Sequence, residues 1–122
     1  MKIYSYNQFL NDFNSNRLNG IYLIKTPGMA YTGTIRSVSI NEIIMDLPLK
    51  FYIKDNPMHT PAIINKSEIS EIKELPLMGN IEIKTKKDGV KKGEINEIFD
   101  NRIIIKDNEL ITVYLQDFDD ID

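Results

Sequence analysis

Five lysines surround a tight turn between residues 84 and 92: Lys84, Lys86, Lys87, Lys91 and Lys92. Ammonium groups that project from a hairpin tip are typical of sites that bind a nucleic-acid backbone. The same pattern is typical of a charged turn that keeps sheet edges from aggregating. No arginine or aromatic pair accompanies these lysines, as base stacking would require. The cluster therefore leaves two interpretations open, nucleic-acid binding or solubility.

A second charged cluster lies at the acidic end of the chain, where Asp117, Phe118, Asp119 and Asp120 precede Ile121. Carboxylates that alternate with apolar side chains can bind a basic protein partner or mimic phosphates. The spacing differs from that of an EF-hand loop, so we expect at most weak calcium binding. The alternative interpretation is a solvated tail with Phe118 and Ile121 tucked into the core.

Residues for catalysis are scarce. His59 is the only histidine and cysteine is absent, so neither a thiolate metal site nor a disulfide framework can form. A serine nucleophile would need a base, and His59 is the one candidate, in a segment between Pro57 and Pro61 that predicts an irregular surface loop. Hydrolysis at His59 is the weakest hypothesis. We expect no enzyme activity, no metal and no cofactor.

Composition places the chain among ordinary globular proteins. It has 122 residues, 42% of them hydrophobic and 27% charged, with a net charge of −3 that argues against a general electrostatic hold on nucleic acid. No apolar run approaches the roughly 18 to 20 residues needed to span a bilayer. These features predict a single domain over residues 1–122, a cytoplasmic location and no membrane partner.

Residues 5–18 predict the only good helix. Ser5 and Gln8 have the spacing of a capping box. Tyr6, Phe9, Leu10 and Phe13 follow at helical spacing. Such a stripe is typical of a helix that packs on a sheet, and Asn19-Gly20 is a plausible end.

After Gly20 the pattern changes from helical to extended. Short apolar runs between turn residues predict strands at residues 21–24, 30–38, 42–47 and 50–53. Pro27 followed by Gly28 suits a type II turn, since proline sets the first central angle and glycine accepts the positive second one. Few alanines and many isoleucines also favour strands over helices.

The chain repeats itself at an offset of sixty residues. Gly33-Thr34-Ile35 matches Gly93-Glu94-Ile95, without a gap from Gly20 to Asp46. Further pairs are Ile21 with Ile81, Leu23 with Ile83, Val38 with Ile98, Asn41 with Asn101, Ile43 with Ile103, Ile44 with Ile104 and Met45 with Ile105. A glycine within a strand often marks a bulge or a bend. The repeat favours a duplication, with units at residues 20–75 and 80–122, over chance matches among many isoleucines.

The ends of the two units also correspond. Residues 62–72 predict a strand, a one-turn corner and a returning strand, and residues 112–121 have a comparable plan. This pattern resembles the Sm-like and related small β-barrels, in which five bent strands close with a 3₁₀ corner before the last. The resemblance is less complete for the second unit, which ends before a full fifth strand. A helix over residues 67–75 is the competing interpretation, because Ile69, Ile72 and Leu75 lie near helical spacing.

We therefore expect a mainly β protein, α+β by count, in which an N-terminal helix packs on a duplicated small β-barrel or on one pseudo-symmetric closed barrel. The functional hypothesis is a non-enzymatic binding or regulatory module that acts through protein–protein contacts at a sheet edge or the acidic end. The alternative is an RNA or single-stranded nucleic-acid binder that uses residues 84–92. A homodimer formed by edge strands is compatible with both.

Overall fold

The computed structural model describes residues 1–48 and 59–122 and shows a mostly β protein with one α-helix and two antiparallel sheets. The helix α1 is Tyr6–Asn14, and two 3₁₀ turns are Lys66–Glu68 and Leu115–Asp117. The strands are β1 Ile3–Tyr4, β2 Tyr22–Thr26, β3 Met29–Val38, β4 Glu42–Pro48, β5 His59–Asn65, β6 Glu71–Glu74, β7 Asn80–Thr85, β8 Val90–Ile98, β9 Arg102–Asp107, β10 Glu109–Tyr114 and β11 Phe118–Ile121. The strand predicted at residues 50–53 lies outside the described residues.

The helix α1 begins as its sequence predicts. The Gln8 amide donates to Ser5 Oγ at 3.2 Å, and the Ser5 amide donates to Gln8 Oε1 at 3.0 Å, which completes the capping box. The helix ends at Asn14 rather than near residue 18, because Asn16 takes the left-handed conformation with φ 57°. Phe9 is its buried anchor.

The two sheets share one plan. The first has the order β1-β6-β2-β3-β4-β5 and the second has the order β10-β9-β8-β7-β11. Apart from β1, each sheet places its five strands in the same order, with the last strand of the unit beside its first. The repeat in the sequence therefore corresponds to a repeat of strand topology.

Local irregularities recur at the offset of sixty residues. The ladder of β3 and β4 shifts register between Ile35 and Ser37, and the ladder of β8 and β9 shifts between Ile95 and Glu97. Gly33 and Gly93 lie just before these bulges, each against the backbone of the next strand. Bulges bend a strand and increase its twist, so both units bend at the same point.

A matching corner precedes the last strand of each unit. The Lys66 amide donates to the Asn41 carbonyl at 2.8 Å, and the Leu115 amide donates to the Asn101 carbonyl at 2.9 Å. Each bond ties the start of a 3₁₀ turn to the turn before the third strand. The competing prediction of a helix over residues 67–75 is wrong, since Lys66–Glu68 forms the 3₁₀ turn and Glu71–Glu74 forms β6.

The second unit has a full fifth strand, so the prediction that it stops short is wrong. Phe118–Ile121 forms β11, which pairs with β7, and Glu82 and Asp122 exchange two backbone hydrogen bonds of 2.9 Å at its end. Aspartate has low strand propensity, which hides this strand in the sequence. Main-chain pairing and two buried apolar side chains, Phe118 and Ile121, hold it instead.

The offset of the first strands also differs from the prediction. Tyr22 pairs with Gly33, whereas Ile81 pairs with Gly93, so the partner of Tyr22 in the repeat is Ile81, at an offset of 59. The β2–β3 turn spans Pro27 and Gly28, and the β7–β8 turn spans residues 86–89. Turns of different length set this shift, and a gap is therefore needed between residues 20 and 46. Gly28, with φ 81°, takes the positive angle that the predicted turn requires.

Each unit has its own hydrophobic core, and each core also includes residues from outside that unit. The first contains Tyr22, Ile24, Val38, Ile43, Met45, Ile64 and Ile72, together with Tyr4 and Phe9 from the N-terminal segment. The second contains Ile81, Ile83, Ile103, Ile105, Val113, Leu115, Phe118 and Ile121, together with Leu23, Ala30 and Leu75 from the first unit. The helix thus covers the first core, and the outer side of β2 and β3 covers the second.

No ladder within residues 1–48 and 59–122 joins β5 to β6 or β10 to β11. A closed barrel is therefore not observed. The strands β5 and β10 are the outermost strands at one end of each sheet. In the same residues no helix is both long and apolar enough to cross a bilayer.

Candidate functional site

The hairpin of β7 and β8 presents the lysine cluster on a well-ordered turn. The Thr85 hydroxyl accepts from the Asp88 amide at 2.9 Å and donates to the Gly89 carbonyl at 2.8 Å. The Thr85 amide donates to the same carbonyl at 2.9 Å. These bonds fix the backbone, so the lysines project from a defined loop.

The lysines differ in their surroundings. Lys84, Lys86, Lys87 and Lys92 are exposed, and Lys91 is half-buried. Lys92 Nζ lies 3.1 Å from Glu82 Oε1, its cross-strand neighbour. Among the described residues no salt bridge joins the other four lysines to a carboxylate. The free positive charge is concentrated at the turn.

The acidic end forms part of the folded structure. Phe118 is buried in the second core, and the Asp117 carbonyl accepts from the Lys86 amide at 2.7 Å. The Asp119 carbonyl accepts from Lys25 Nζ in the first unit. The interpretation of this segment as a tail is wrong, because pairing with β7 orders it as a strand, but its expectation that Phe118 and Ile121 are buried in the core is confirmed. A role of Asp117, Phe118, Asp119 and Asp120 in binding a partner stays a prediction.

Lys73 joins the two units, a role that its sequence context does not predict. Lys73 is 2% exposed, although it lies on β6 together with the half-buried Glu71 and Glu74. Lys73 Nζ donates to Asp120 Oδ1 at 2.9 Å and to the Ile121 carbonyl at 2.7 Å, and it lies 3.3 Å from Glu71 Oε1. A lysine in a short, charged strand predicts a solvent-facing side chain, so only the packing of the units reveals its role.

The charge pairing of Lys73 is visible in the pKa values. Burial alone would lower the pKa of Lys73, but the hydrogen bond to Asp120 and the charge of Glu71 outweigh it, and the pKa is raised. The hydrogen bond from Lys73 is also the largest cause that lowers the pKa of Asp120, against partial burial that opposes it. Both groups are therefore charged at neutral pH, and they fasten β11 to β6 across the units. Thr32 Oγ1 adds a buried bond to the Phe99 carbonyl at 3.2 Å.

The outer edge of β10 is the most apolar open edge in the described residues. Among the strands of residues 1–48 and 59–122, β10 pairs only with β9. Leu110 is 61% exposed and Tyr114 is 47% exposed, and Thr112 lies exposed between them on the same face. After Glu109 the strand has neither a charged residue nor a proline. Native edges are usually blocked by such residues, so this edge is open to a further strand.

The equivalent edge of the first unit is blocked. Pro61 lies within β5 and lacks a backbone N–H, so it interrupts the row of donors that an added strand would use. Ile63 is exposed on this strand. His59 begins β5 and does not lie in an irregular loop, since proline is tolerated in an edge strand.

An open groove of about 350 Å³ lies between the units. Apolar side chains line much of it, among them Ile21, Leu77, Ile95 and Ile98. Asp46 on its wall is paired with Arg36 Nε at 3.2 Å. Within the described residues no three histidine or carboxylate side chains cluster as metal ligands would.

The two units share their strand order, their bulges and their 3₁₀ corners, and membership of the Sm-like superfamily stays a prediction. Comparison of this chain with known protein families, with curated proteins and with solved structures finds no match.

Proposed function

We propose that this chain is a non-enzymatic binding module that recognises a protein partner at the outer edge of β10. The observation that carries the proposal is the open edge with Leu110 and Tyr114 exposed on one face. Among the described strands this edge combines free pairing capacity with exposed apolar side chains and no residue that blocks addition. The acidic end is a weaker candidate, because Phe118 is buried and Asp120 is paired with Lys73.

Strand addition gives such an edge both affinity and specificity. The partner's backbone would pair with the unpaired N–H and C=O groups of β10, independently of its sequence. Side chains at alternate positions of the partner would contact Leu110, Thr112 and Tyr114. The fitting partner is therefore an extended segment with apolar side chains at every second position.

Charged residues at the exposed positions test this function. The double variant Leu110→Lys/Tyr114→Lys keeps the fold, since both side chains are exposed. It is expected to reduce capture of partner proteins from cell extract at least about tenfold, because each lysine must be desolvated against the added strand. Capture is measured by quantitative mass spectrometry against immobilised wild type.

Two controls make the comparison specific. Ile63→Lys places a lysine on the blocked edge of β5 and should leave capture unchanged. Loss of the hairpin lysines should also be tolerated. Equal capture by wild type and by Leu110→Lys/Tyr114→Lys would contradict the proposal.

The alternative function is RNA or single-stranded nucleic-acid binding through the hairpin of β7 and β8. It is favoured by the exposure of Lys84, Lys86 and Lys87 without a carboxylate partner among the described residues. Lysines of this kind contact phosphates and release counterions, so affinity would fall steeply with salt. The net charge of −3 and the lack of stacked aromatic side chains at the turn disfavour it.

If the hairpin binds RNA, the wild type should bind pooled cellular RNA in a salt-sensitive manner. The triple variant Lys84→Ala/Lys86→Ala/Lys87→Ala should lose this binding. The matched control Lys2→Ala/Lys66→Ala/Lys106→Ala removes equal charge elsewhere and should retain binding. Filter binding at low and moderate salt measures both. Absence of binding even at low salt, or equal loss in both variants, would remove this alternative.

The fold proposal that accompanies the function is a pair of Sm-like small barrels. The shared strand order, the bulges after Gly33 and Gly93 and the two 3₁₀ corners support it. The proposed function requires that the barrel of the second unit stays open between β10 and β11, which do not pair in the described residues, because full closure would remove the free edge of β10.

A further inference from the structure

We propose that the strand that occupies the edge of β10 is β10 of a second copy of this chain, in an antiparallel pair centred on Thr112. This inference rests on the proposed function of β10 as a docking edge and names the occupant. It assigns a closed homodimer in which the two second-unit sheets become one continuous sheet.

The first argument is the self-complementary order of side chains along β10. An antiparallel pair centred on Thr112 places Leu110 of one copy opposite Tyr114 of the other, and the reverse. Leu110, Thr112 and Tyr114 are all exposed and share one face. An aromatic side chain opposite an aliphatic one is among the favourable cross-strand pairs. This pairing therefore covers Leu110 and Tyr114 in both copies.

The inner face of the strand fits the same register. Ile111 would lie opposite Val113 of the second copy. Ile111 is half-buried and packs against the second core, and Val113 belongs to that core. A second copy would thus extend the apolar layer and bury the rest of Ile111.

Charge does not oppose the pairing. Glu109 is the only charged residue of β10, and in this register it lies beyond the paired stretch, opposite Leu115, where the strand has ended. No like charges face each other across the two-fold axis. A second copy therefore meets no like-charge contact along the paired stretch.

The alternative self-association, β10 of one copy with β5 of the next, fits less well. Pro61 interrupts the edge of β5, and Asp46 and Glu42 flank that strand on β4. Such a head-to-tail contact would leave one free edge at each end and propagate into a filament. Pairing of β10 with itself closes after two copies.

Opposite charges at position 112 test the two-fold axis, because there the side chain meets its own copy. Wild type should sediment at twice the chain mass of 14.1 kDa. Thr112→Lys alone and Thr112→Glu alone should each raise the dimer dissociation constant about a hundredfold, since like charges meet at the axis. An equal mixture of the two variants should recover the dimer, with lysine opposite glutamate.

The matched control is Ile63, which has the corresponding place on β5. Ile63→Lys and Ile63→Glu should both remain dimeric, and circular dichroism should show that all variants are folded. A monomeric wild type, a dimer insensitive to position 112, or failure of the mixture to reassociate would each overturn the inference. Growth into larger assemblies that depend on Ile63 would instead indicate the head-to-tail contact and would also overturn it.

Failure of this inference is distinguishable from failure of the proposed function. A monomeric wild type whose partner capture is abolished by Leu110→Lys/Tyr114→Lys would refute the second copy and keep β10 as a docking edge. A monomeric wild type whose capture is indifferent to that double variant would refute both.

Discussion

Gly33→Ala is expected to lower the free energy of unfolding by about 3 kcal/mol. A β-carbon at this position would overlap the Asp46 carbonyl oxygen and lie 3.0 Å from the Asp46 carbonyl carbon. Both atoms belong to the backbone of β4, which is held on its other side by β5. Relief would require the two strands to separate next to the bulge between Ile35 and Ser37, so the strain cannot be absorbed by a side-chain movement.

The repeat supplies a graded comparison for this prediction. At Gly93 the added β-carbon would lie 2.7 Å from the Lys106 carbonyl oxygen, so Gly93→Ala should cost less, about 2 kcal/mol. Gly28→Ala is the control, because no atom lies within 4 Å and only the positive φ is strained, at about 1 kcal/mol. Urea unfolding followed by circular dichroism ranks the three variants. Equal losses for Gly33→Ala and Gly28→Ala would show that the close approach has no energetic role.

The sequence predicts the repeat at residues whose type has one characteristic structural role. Gly33 and Gly93 mark the bulges, Asn41 and Asn101 mark the turns, and Ser5 with Gln8 marks the helix start. Each depends on local backbone geometry, which neighbouring residues determine. These features are therefore predictable from the sequence.

The sequence does not determine the offset between β2 and β7 in the repeat, because β2 is buried on both faces. Tyr22 and Ile24 enter the first core while Leu23 enters the second. A continuous apolar run has no alternation, so a shift of one residue leaves the hydrophobic match intact. The offset of sixty therefore aligns Leu23 with Ile83, although Leu23 faces the other unit. Because the second unit covers the outer face of β2, that face is apolar too. The alternation of apolar and polar residues that would determine the alignment is therefore absent.

The sequence predicts one candidate surface, the lysine hairpin, but not the edge of β10 or the contact of Lys73. The exposed lysines of the hairpin follow from composition and turn chemistry. The edge of β10 and the burial of Lys73 depend on which strands are neighbours, and sequence periodicity does not encode that. The structural role of a lysine or a leucine in a short strand depends on whether that strand lies at an edge, on an open face or under another unit.

The contact between Lys73 and Asp120 gives the second large effect. Asp120→Asn is expected to lower the free energy of unfolding by about 2 kcal/mol at neutral pH, because it leaves the buried ammonium of Lys73 with Glu71 as its remaining carboxylate. The loss stays below that of a fully buried pair, since Asp120 is partly exposed and water screens it. Lys73→Met should cost less than Asp120→Asn, because it removes the buried charge itself and leaves two carboxylates that reach solvent.

The pH dependence separates this ion pair from a simple loss of packing. The pKa of Asp120 is lowered from its ordinary 3.8 in the folded state, so its stabilising effect is complete above that value and is lost as the pH falls through the folded pKa. The pKa of Lys73 is raised above 10.5, so its contribution is complete below that value and is lost only as the pH rises through the folded pKa. The stability difference between wild type and Asp120→Asn should therefore be constant around neutral pH and shrink in strong acid. Asp107→Asn, at an exposed carboxylate of β9, should follow wild type throughout. A difference that persists unchanged in strong acid would mean that Asp120 holds β11 against β6 by shape alone and not by charge.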